Sequence, residues 1–277
     1  MVPAPVGAAL GQPLGAPAPR LTDGATALAA ERAGRPSGGH GRAKACRYPP
    51  RPYPTVLLGF LLLACPIAAE DAAPVTPASD RATATHSFAD VDQWSKVFDA
   101  PKRDTWQKPA ELVAALGIHP GQTVADLGAG TGYFSRHLAG AVGPDGSVLA
   151  VDIEPTLVAH LRGRAQREGT ANVVPILGSA DNPRLPAGAI DLILIADTYH
   201  HLDHRTRYLP QLRRALRPSG RIVVVDWKPG ELPEGPAPDH KLPPEQVVAE
   251  MRAAGFTLVG ELDLLPYQYC LVFQTIR

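Results

Sequence analysis

From about residue 88 onward, apolar positions fall into short runs whose period switches repeatedly between two and three to four residues. Trp94, Val97 and Phe98 share one helical face. Pro109 opens a second short helix, because proline suits a first turn; Leu112, Val113 and Leu116 line one side of it, and Gly117 caps its end. Beyond it, strand and helix patterns alternate. Strands are predicted over 123–126, Ser147–Asp152, Val173–Leu177, Ile190–Ala196 and 221–226. Helices are predicted over Tyr133–Val142, Pro155–Glu168, 203–216 and 244–254, with Pro210 marking a kink or restart and Gly255 ending the last. Ile190–Ala196 is an unbroken apolar run, as a strand covered on both faces requires. Two closing strands, 256–265 and 269–276, meet at Pro266 with no helix between them. Alternation of this kind means an α/β fold with a mainly parallel sheet and right-handed crossovers, closed at one edge by an antiparallel pair.

The first 90 residues read differently. Residues 1–54 are rich in Ala, Pro, Gly and Arg and have no apolar period. They cannot bury enough surface to offset the entropy of ordering, so this stretch is expected to be a disordered basic extension. The stretch from Thr55 to Ala64 reads TVLLGFLLLA, behind Arg47 and Arg51. A spanning helix needs roughly 20 apolar residues, and this run is half that. A short apolar core between positive charge and small residues points to a secretory signal. Leu62-Leu63-Ala64-Cys65 is similar to a lipoprotein box, in which Cys65 would carry the lipid, although Pro66 departs from that pattern. A short buried helix is the alternative, opposed by the linker-like flanks PPRPYP and EDAAPVTPASD. A basic head of 54 residues is far longer than a signal's charged region, so a start downstream of Met1 is expected. The chain thus divides into an extension (1–54), a signal-like or lipoprotein-like segment (55–69), a linker (70–90) and one folded domain (91–277). The expected location is exported to the periplasm or anchored at a membrane through residues 55–65. The alternative is an anchored domain that faces the cytoplasm.

Charge sharpens this division. The chain has a net charge of zero, but residues 1–54 hold seven Lys/Arg against two Asp/Glu, and the remainder holds 20 against 25. A mildly acidic folded part argues against a nucleic-acid partner, because phosphate binding needs a basic face. Cys46, Cys65 and Cys270 sit in unlike contexts, and no disulfide is expected among them.

The chemistry concentrates where the first long strand ends. Val124-Ala125-Asp126-Leu127-Gly128-Ala129-Gly130-Thr131-Gly132-Tyr133-Phe134 runs from strand through a glycine turn into a helix. Glycines let backbone approach a ligand where a Cβ would clash, and a helix N-terminus offers N–H groups and positive dipole. The spacing is G-x-G-x-G, unlike the G-x-G-x-x-G of dinucleotide sites. Asp152 ends the next strand, 24 residues after Gly128, where a carboxylate can accept from two ribose hydroxyls. Ile153 beside it is placed to pack on an adenine face. The other reading of Asp152 is a helix N-cap.

At these residues the sequence resembles the class I S-adenosylmethionine (SAM)-dependent methyltransferases, and the resemblance runs from about Val91 to the C-terminus. Asp126, Gly128, Gly130 and Gly132 match that family's first motif, and Asp152 its second acidic position. The loop after the third strand, usually Gly-Asp-Ala, is here Gly178-Ser179-Ala180-Asp181, so Ser179 or Asp181 would meet the adenine amine. Asp191-Leu192-Ile193-Leu194-Ile195-Ala196-Asp197 and Leu216-Arg217-Pro218-Ser219-Gly220-Arg221 also match, with the nearest look to quinone-type C-methyltransferases. The resemblance implies a Rossmann-like seven-stranded sheet in the order 3-2-1-4-5-7-6, strand 7 antiparallel, with helices on both faces. It implies SAM across the carboxyl ends of the strands. It implies cofactor contacts from Asp126, Gly128, Ala129, Gly130, Gly132, Tyr133, Asp152, Ile153, Ser179, Ala180, Asp181 and Asp197. Tyr133 would cover the methionine end.

In such a fold, the loop Asp197-Thr198-Tyr199-His200-His201-Leu202 faces the transferable methyl. Histidine titrates near neutrality, so His200 or His201 is a candidate base; a structural pair, one capping and one packing, is the alternative. His200 and His204 have helix-face metal spacing, but no third ligand is in view, so no metal is expected. Trp106, with Arg103 and Gln107 near it, would wall a substrate pocket or belong to the core. Asp226-Trp227 lies near the same cleft or merely caps the sheet edge. The leading function is methyl transfer from SAM to a small, lipophilic acceptor. The alternatives are a SAM-binding module of this fold without turnover and, opposed by the glycine spacing, a Rossmann oxidoreductase.

Overall fold

The computed structural model of this protein describes residues 81–83 and 87–276. The basic extension, the apolar segment with Cys65 and most of the linker lie outside the described residues.

Seven strands form one sheet: β1 (Thr123–Leu127), β2 (Ser147–Asp152), β3 (Val173–Leu177), β4 (Ile190–Ala196), β5 (Leu216–Trp227), β6 (Phe256–Glu261) and β7 (Gln268–Thr275). Their order is β3-β2-β1-β4-β5-β7-β6, and β7 alone runs antiparallel to its neighbours. This is the expected Rossmann-like topology. Its helices are α1 (Val91–Phe98), α2 (Arg103–Gln107), α3 (Pro109–Ala115), α4 (Tyr133–Val142), α5 (Pro155–Glu168), α6 (Arg205–Ala215) and α7 (Pro244–Ala253).

Successive side chains of a strand point to opposite faces, and both faces of this sheet are apolar. Leu192, Leu194, Val223 and Val225 pack on one side with Leu112, Phe134 and Leu138 of α3 and α4. Ile193, Ile195, Ile222 and Val224 pack on the other with Leu209 and Leu212 of α6 and Val247 and Met251 of α7. The register sets Val124 of β1 beside Val148 and Leu192, so the three central strands end at nearly the same level.

Four boundaries differ from the sequence pattern. The strand expected over 221–226 starts five residues earlier, at Leu216, which pairs with Ile190 ahead of a register shift. The helix expected over 203–216 starts later, at Arg205, because His204 has a left-handed φ of 49° and residues 199–201 wind into a separate 3₁₀ turn. The helix then runs through Pro210 as one element. The strand expected over 256–265 stops at Glu261. The Leu262 N–H still donates to the Cys270 carbonyl of β7 (2.9 Å), but beyond it Leu264 packs against the core and Leu265 is buried there, so their apolar character reflects core contact without strand pairing. The folded unit also starts before residue 91. The Thr83 N–H donates to the His200 carbonyl (2.9 Å), and the Phe88 N–H donates to Glu154 Oε1 (3.1 Å).

One buried ion pair ties α6 to α7. Arg205 is fully buried and donates from Nε to Glu250 Oε2 (2.6 Å) and from Nη2 to Oε1 (3.1 Å). Its Nη1 donates to the carbonyls of Arg81 and Leu202, both at 2.9 Å. Removing one member of such a pair leaves a charge without compensation in low dielectric. Arg205→Met is therefore expected to cost about 3 kcal/mol in urea unfolding. The double variant Arg205→Met/Glu250→Met should cost distinctly less; equal losses would mean that the guanidinium matters only through its two carbonyl contacts.

Candidate functional site

The glycine turn folds back onto β2. The N–H groups of Gly128 and Ala129 both donate to the Val151 carbonyl (2.8 and 2.9 Å), and that of Gly132 donates to Ala129 (2.8 Å). The Gly130 N–H donates to Asp152 Oδ2 (2.8 Å), while Asp152 Oδ1 accepts from the Glu154 N–H (3.0 Å). With these four N–H groups spent, they leave no cradle for a phosphate. The glycines also have reasons beyond ligand approach. A Cβ on Gly128 would sit 2.3 Å from Thr198 Oγ1, and one on Gly132 2.8 Å from Leu161 Cδ2, both at positive φ. Gly128 admits the loop after β4, and Gly132 admits α5. Asp152 does not cap α5, whose N-cap is Glu154.

The carboxyl edge of the sheet carries four aspartates, one at the end of each of β1, β2, β4 and β5. Asp126 is buried and accepts from the Ser135 hydroxyl (2.6 Å). Its carboxyl is pushed up to about 6, chiefly by burial, with the Ser135 hydrogen bond opposing and the Asp152 charge adding to the push. Burial also raises Asp152, against the N–H groups of Glu154 and Gly130. Asp197 has a left-handed φ of 54°, accepts from Arg103 Nη2 (2.7 Å) and Gln107 Nε2 (3.0 Å) on Oδ2, and accepts from Gln268 on Oδ1. Burial raises its carboxyl, and the Arg103 charge opposes. Asp226 is sealed from solvent. It accepts from the backbone N–H groups of His200 (3.1 Å) and Trp227 (2.8 Å) and lies 2.8 Å from His200 Nδ1.

Above this edge lies a cavity of about 710 Å³, in the range of roughly 300–1,000 Å³ that holds small ligands. At one end stand Asp152 and Ile153, the latter 55% exposed; at the other stand Trp106, Trp227 and His201. The roof comes from the segment before β1. Trp94 and Phe98 of α1 stack at 5.2 Å, and Phe88 lies edge-on to Trp94 and to His201. Arg103 holds α2 down on Asp197 and stands 4.0 Å above the Tyr133 ring, whose hydroxyl donates to Asp104 (2.6 Å). Trp106 lines the cavity and packs on Trp227 (5.1 Å); it is half-buried and belongs to neither core cluster, so the structure places it as wall.

The cavity gathers Asp126, Gly128, Ala129, Gly130, Tyr133, Asp152, Ile153, Asp197, His200 and His201. Gly132, Ser179, Ala180 and Asp181 are not part of its lining. Gly132 turns toward Leu161, as above. Ser179 donates to Asp181 Oδ1 (2.7 Å), and the Asp181 carbonyl accepts from Gln211 of α6. This loop is thereby closed on itself and onto the helix, while Tyr208 of α6 lines the cavity instead. Sequence reasoning did not weigh Gln268, and it left Asp226 open between the cleft and a cap over the sheet edge. A signal existed for Asp226, since every central parallel strand ends in aspartate.

Residues 124–220 match a family model described as a methyltransferase domain. The chain is 34% identical over 116 residues to a ubiquinone/menaquinone biosynthesis C-methyltransferase of Ectopseudomonas mendocina, covering 41% of this chain and 45% of that protein. It is 30% identical over 150 residues to the protein of the same name from Burkholderia vietnamiensis, covering 52% and 60%. The chain thus spans about half the length of the curated relatives it matches. In fold it is similar to a SAM-dependent methyltransferase from Aquifex aeolicus, with TM-score 0.65 and 24% identity, covering 69% of this chain and all of that one.

The raised Asp126 carboxyl has a consequence for stability. A group whose folded pKa exceeds its unfolded value adds stability below the unfolded value, 3.8, and loses it as pH rises through about 6. Asp126→Asn removes that loss. Between about pH 4 and about pH 7, the variant should gain about 2 kcal/mol on the wild type in urea unfolding, the worth of a two-unit shift less some relaxation. A difference that stays constant with pH would show that Ser135 holds the carboxylate ionised throughout.

Proposed function

We propose that this protein, whose residues 124–220 match a methyltransferase domain, is a class I SAM-dependent methyltransferase that transfers a methyl group from SAM to a small, lipophilic acceptor. The observation that carries the proposal is the two-ended cavity, carboxylate-lined along the sheet edge and aromatic toward Trp106 and Trp227. SAM supplies a methyl group on a positively charged sulfur and leaves as S-adenosylhomocysteine.

The chain's own groups suit that donor. Each oxygen of Asp152 holds one backbone N–H and keeps a second lone pair, which is what a ribose's paired hydroxyls require. Ile153, exposed at the same end, offers an apolar face for a purine. Asp126, Gly128, Ala129, Gly130, Asp197 and Tyr133 would hold the methionine part. A wall of ionisable carboxylates in low dielectric favours a cation over a phosphate, and the spent N–H groups of the glycine turn disfavour a dinucleotide. Arg103 pairs with Asp197 and His200 with Asp226, so Asp126 and Asp152 are the two carboxylates of the edge with no basic side chain bonded to them among the described residues. Trp106 and Trp227, packed on each other, offer flat apolar surface at the β5 side, the other end from Asp152. The two curated relatives are named for ubiquinone and menaquinone biosynthesis, and a lipophilic aromatic acceptor suits this end. A binding module without turnover would have no use for such a second compartment.

The test is ligand-induced stabilisation of the full chain. At 100 times its dissociation constant, SAM or S-adenosylhomocysteine should stabilise the protein by about 2.7 kcal/mol in a thermal melt, and NAD should not. A shift with NAD and none with SAM would sink the reading. Asp152→Ala should weaken SAM binding by about 1.5–3 kcal/mol, the worth of hydrogen bonds to a charged group; unchanged affinity would make Asp152 only a brace for the glycine turn.

A further inference from the structure

His200 and Asp226 form a buried pair beside the aromatic end of the cavity. Asp226 takes the His200 backbone N–H and faces ring Nδ1 at 2.8 Å. The His200 carbonyl accepts from Thr83 N–H (2.9 Å) and Thr83 Oγ1 (3.2 Å). Its ring lies against that of His201, centroids 4.1 Å apart. Backbone and Nδ1 are therefore committed, and the ring cannot swing. No hydrogen bond engages Nε2 among the described residues, yet Nε2 is not one of the sealed, unpartnered side-chain atoms. The residue lines the cavity, so the cavity is what Nε2 can reach.

A carboxylate on Nδ1 fixes the neutral ring as the Nδ1–H tautomer and presents a lone pair at Nε2. We propose that His200, oriented by Asp226, is the base that takes the hydroxyl proton of an aromatic acceptor, and that the oxygen so freed is the atom methylated. The proposal rests on the methyl-transfer reading above and names its acceptor. Burial alone would make His200 a weaker base, but the charge and hydrogen bond of Asp226 outweigh it and raise its proton affinity. Asp197 adds in the same direction, and Arg205 of α6 opposes. His201 and His240 also face the cavity near it.

The class of acceptor follows from what needs such a base. An aromatic amine already carries its lone pair, an alkyl ammonium would set a second cation beside the sulfonium, and a thiol ionises near pH 8.5 unaided. An aromatic hydroxyl, near pH 10, needs a base, and the carboxylate behind His200 raises its imidazole toward that range. Trp106 and Trp227 give its ring apolar faces. Methylation at a ring carbon would leave a dienone that must lose a second proton, from carbon, while the pinned imidazole still holds the first. In the step, the O–H proton passes to Nε2 and the bonding pair stays on oxygen. That oxygen bonds the methyl carbon as its bond to sulfur breaks, with the pair going to sulfur. Neutral S-adenosylhomocysteine and an aryl methyl ether result. The positive charge, lost from sulfur, rests on the imidazolium until solvent takes the proton.

The experiment uses the full chain with S-adenosylhomocysteine, which cannot react, and 4-nitrophenol as probe. At a pH below the probe's own pKa, the wild type should bind it as the coloured phenolate. His200→Asn and His200→Gln should bind it colourless, and Asp226→Asn should lower the phenolate fraction. With SAM and phenols, His200→Asn should lower kcat about 10²–10⁴-fold while KM for SAM stays within about two-fold. That loss should shrink for phenols acidic enough to ionise alone, and product NMR should show a methoxy group. Colourless binding by the wild type, or a ring-methyl product, overturns the proposal without any variant. A protein that binds neither SAM nor S-adenosylhomocysteine overturns the methyl-transfer reading and this proposal with it.

Discussion

Four neighbouring parallel strands each end in an aspartate at the same edge of the sheet, and the site is built around the cost of burying those carboxylates. Ionised groups in low dielectric must be paired, hydrogen-bonded or protonated. Each aspartate is met differently. Asp126 has only the Ser135 hydroxyl and is pushed toward its neutral form. Asp152 draws two backbone N–H groups to itself and thereby shapes the glycine turn. Asp197 holds Arg103, Gln107 and Gln268, and with them the segment before β1 and the start of β7. Asp226 holds both ends of His200. Loop conformations at this edge follow from these debts, and so does the preference for a cationic ligand.

The sheet was legible because the rules behind it are local. A strand buried on both faces must be continuously apolar, and Ile190–Ala196 is; a parallel neighbour needs a crossover, and a helix pattern stands in each gap between β1 and β5 except the one from β3 to β4. The pattern failed where apolar residues serve the core without pairing, as at Leu264 and Leu265. In the glycine turn the residue types were readable but their causes were not. Gly128 yields to Thr198, 70 positions away, and Gly132 to Leu161. A spacing motif carries no record of which side chain fills the vacated volume.

The roof of the cavity was the least legible part. Arg103 and Asp197 are separated by 94 positions, and Gln107 and Gln268 by 161. No periodicity links such pairs. The placement of Ser179 and Asp181 failed for a related reason: the Ser179 hydroxyl finds a partner two residues on, and Gln211 of α6 claims the Asp181 carbonyl. Local hydrogen bonds close that loop before a ligand could.

The partners of Asp197 and Asp226 separate two kinds of work. Arginine stays protonated at any relevant pH, so the Arg103–Asp197 pair is a fixed dipole that fastens α2 over the cavity. Histidine can change its charge near neutrality, so the His200–Asp226 pair can store a proton and release it. Had the two partners been exchanged, the roof would loosen with pH and the wall beside the tryptophans would lose its exchangeable proton. The chain instead puts the permanent charge on the strap and the exchangeable one beside the aromatic compartment. Among the four carboxylates, Asp226 is the one whose partner can carry a proton to or from a bound molecule while the rest of the edge keeps its charge.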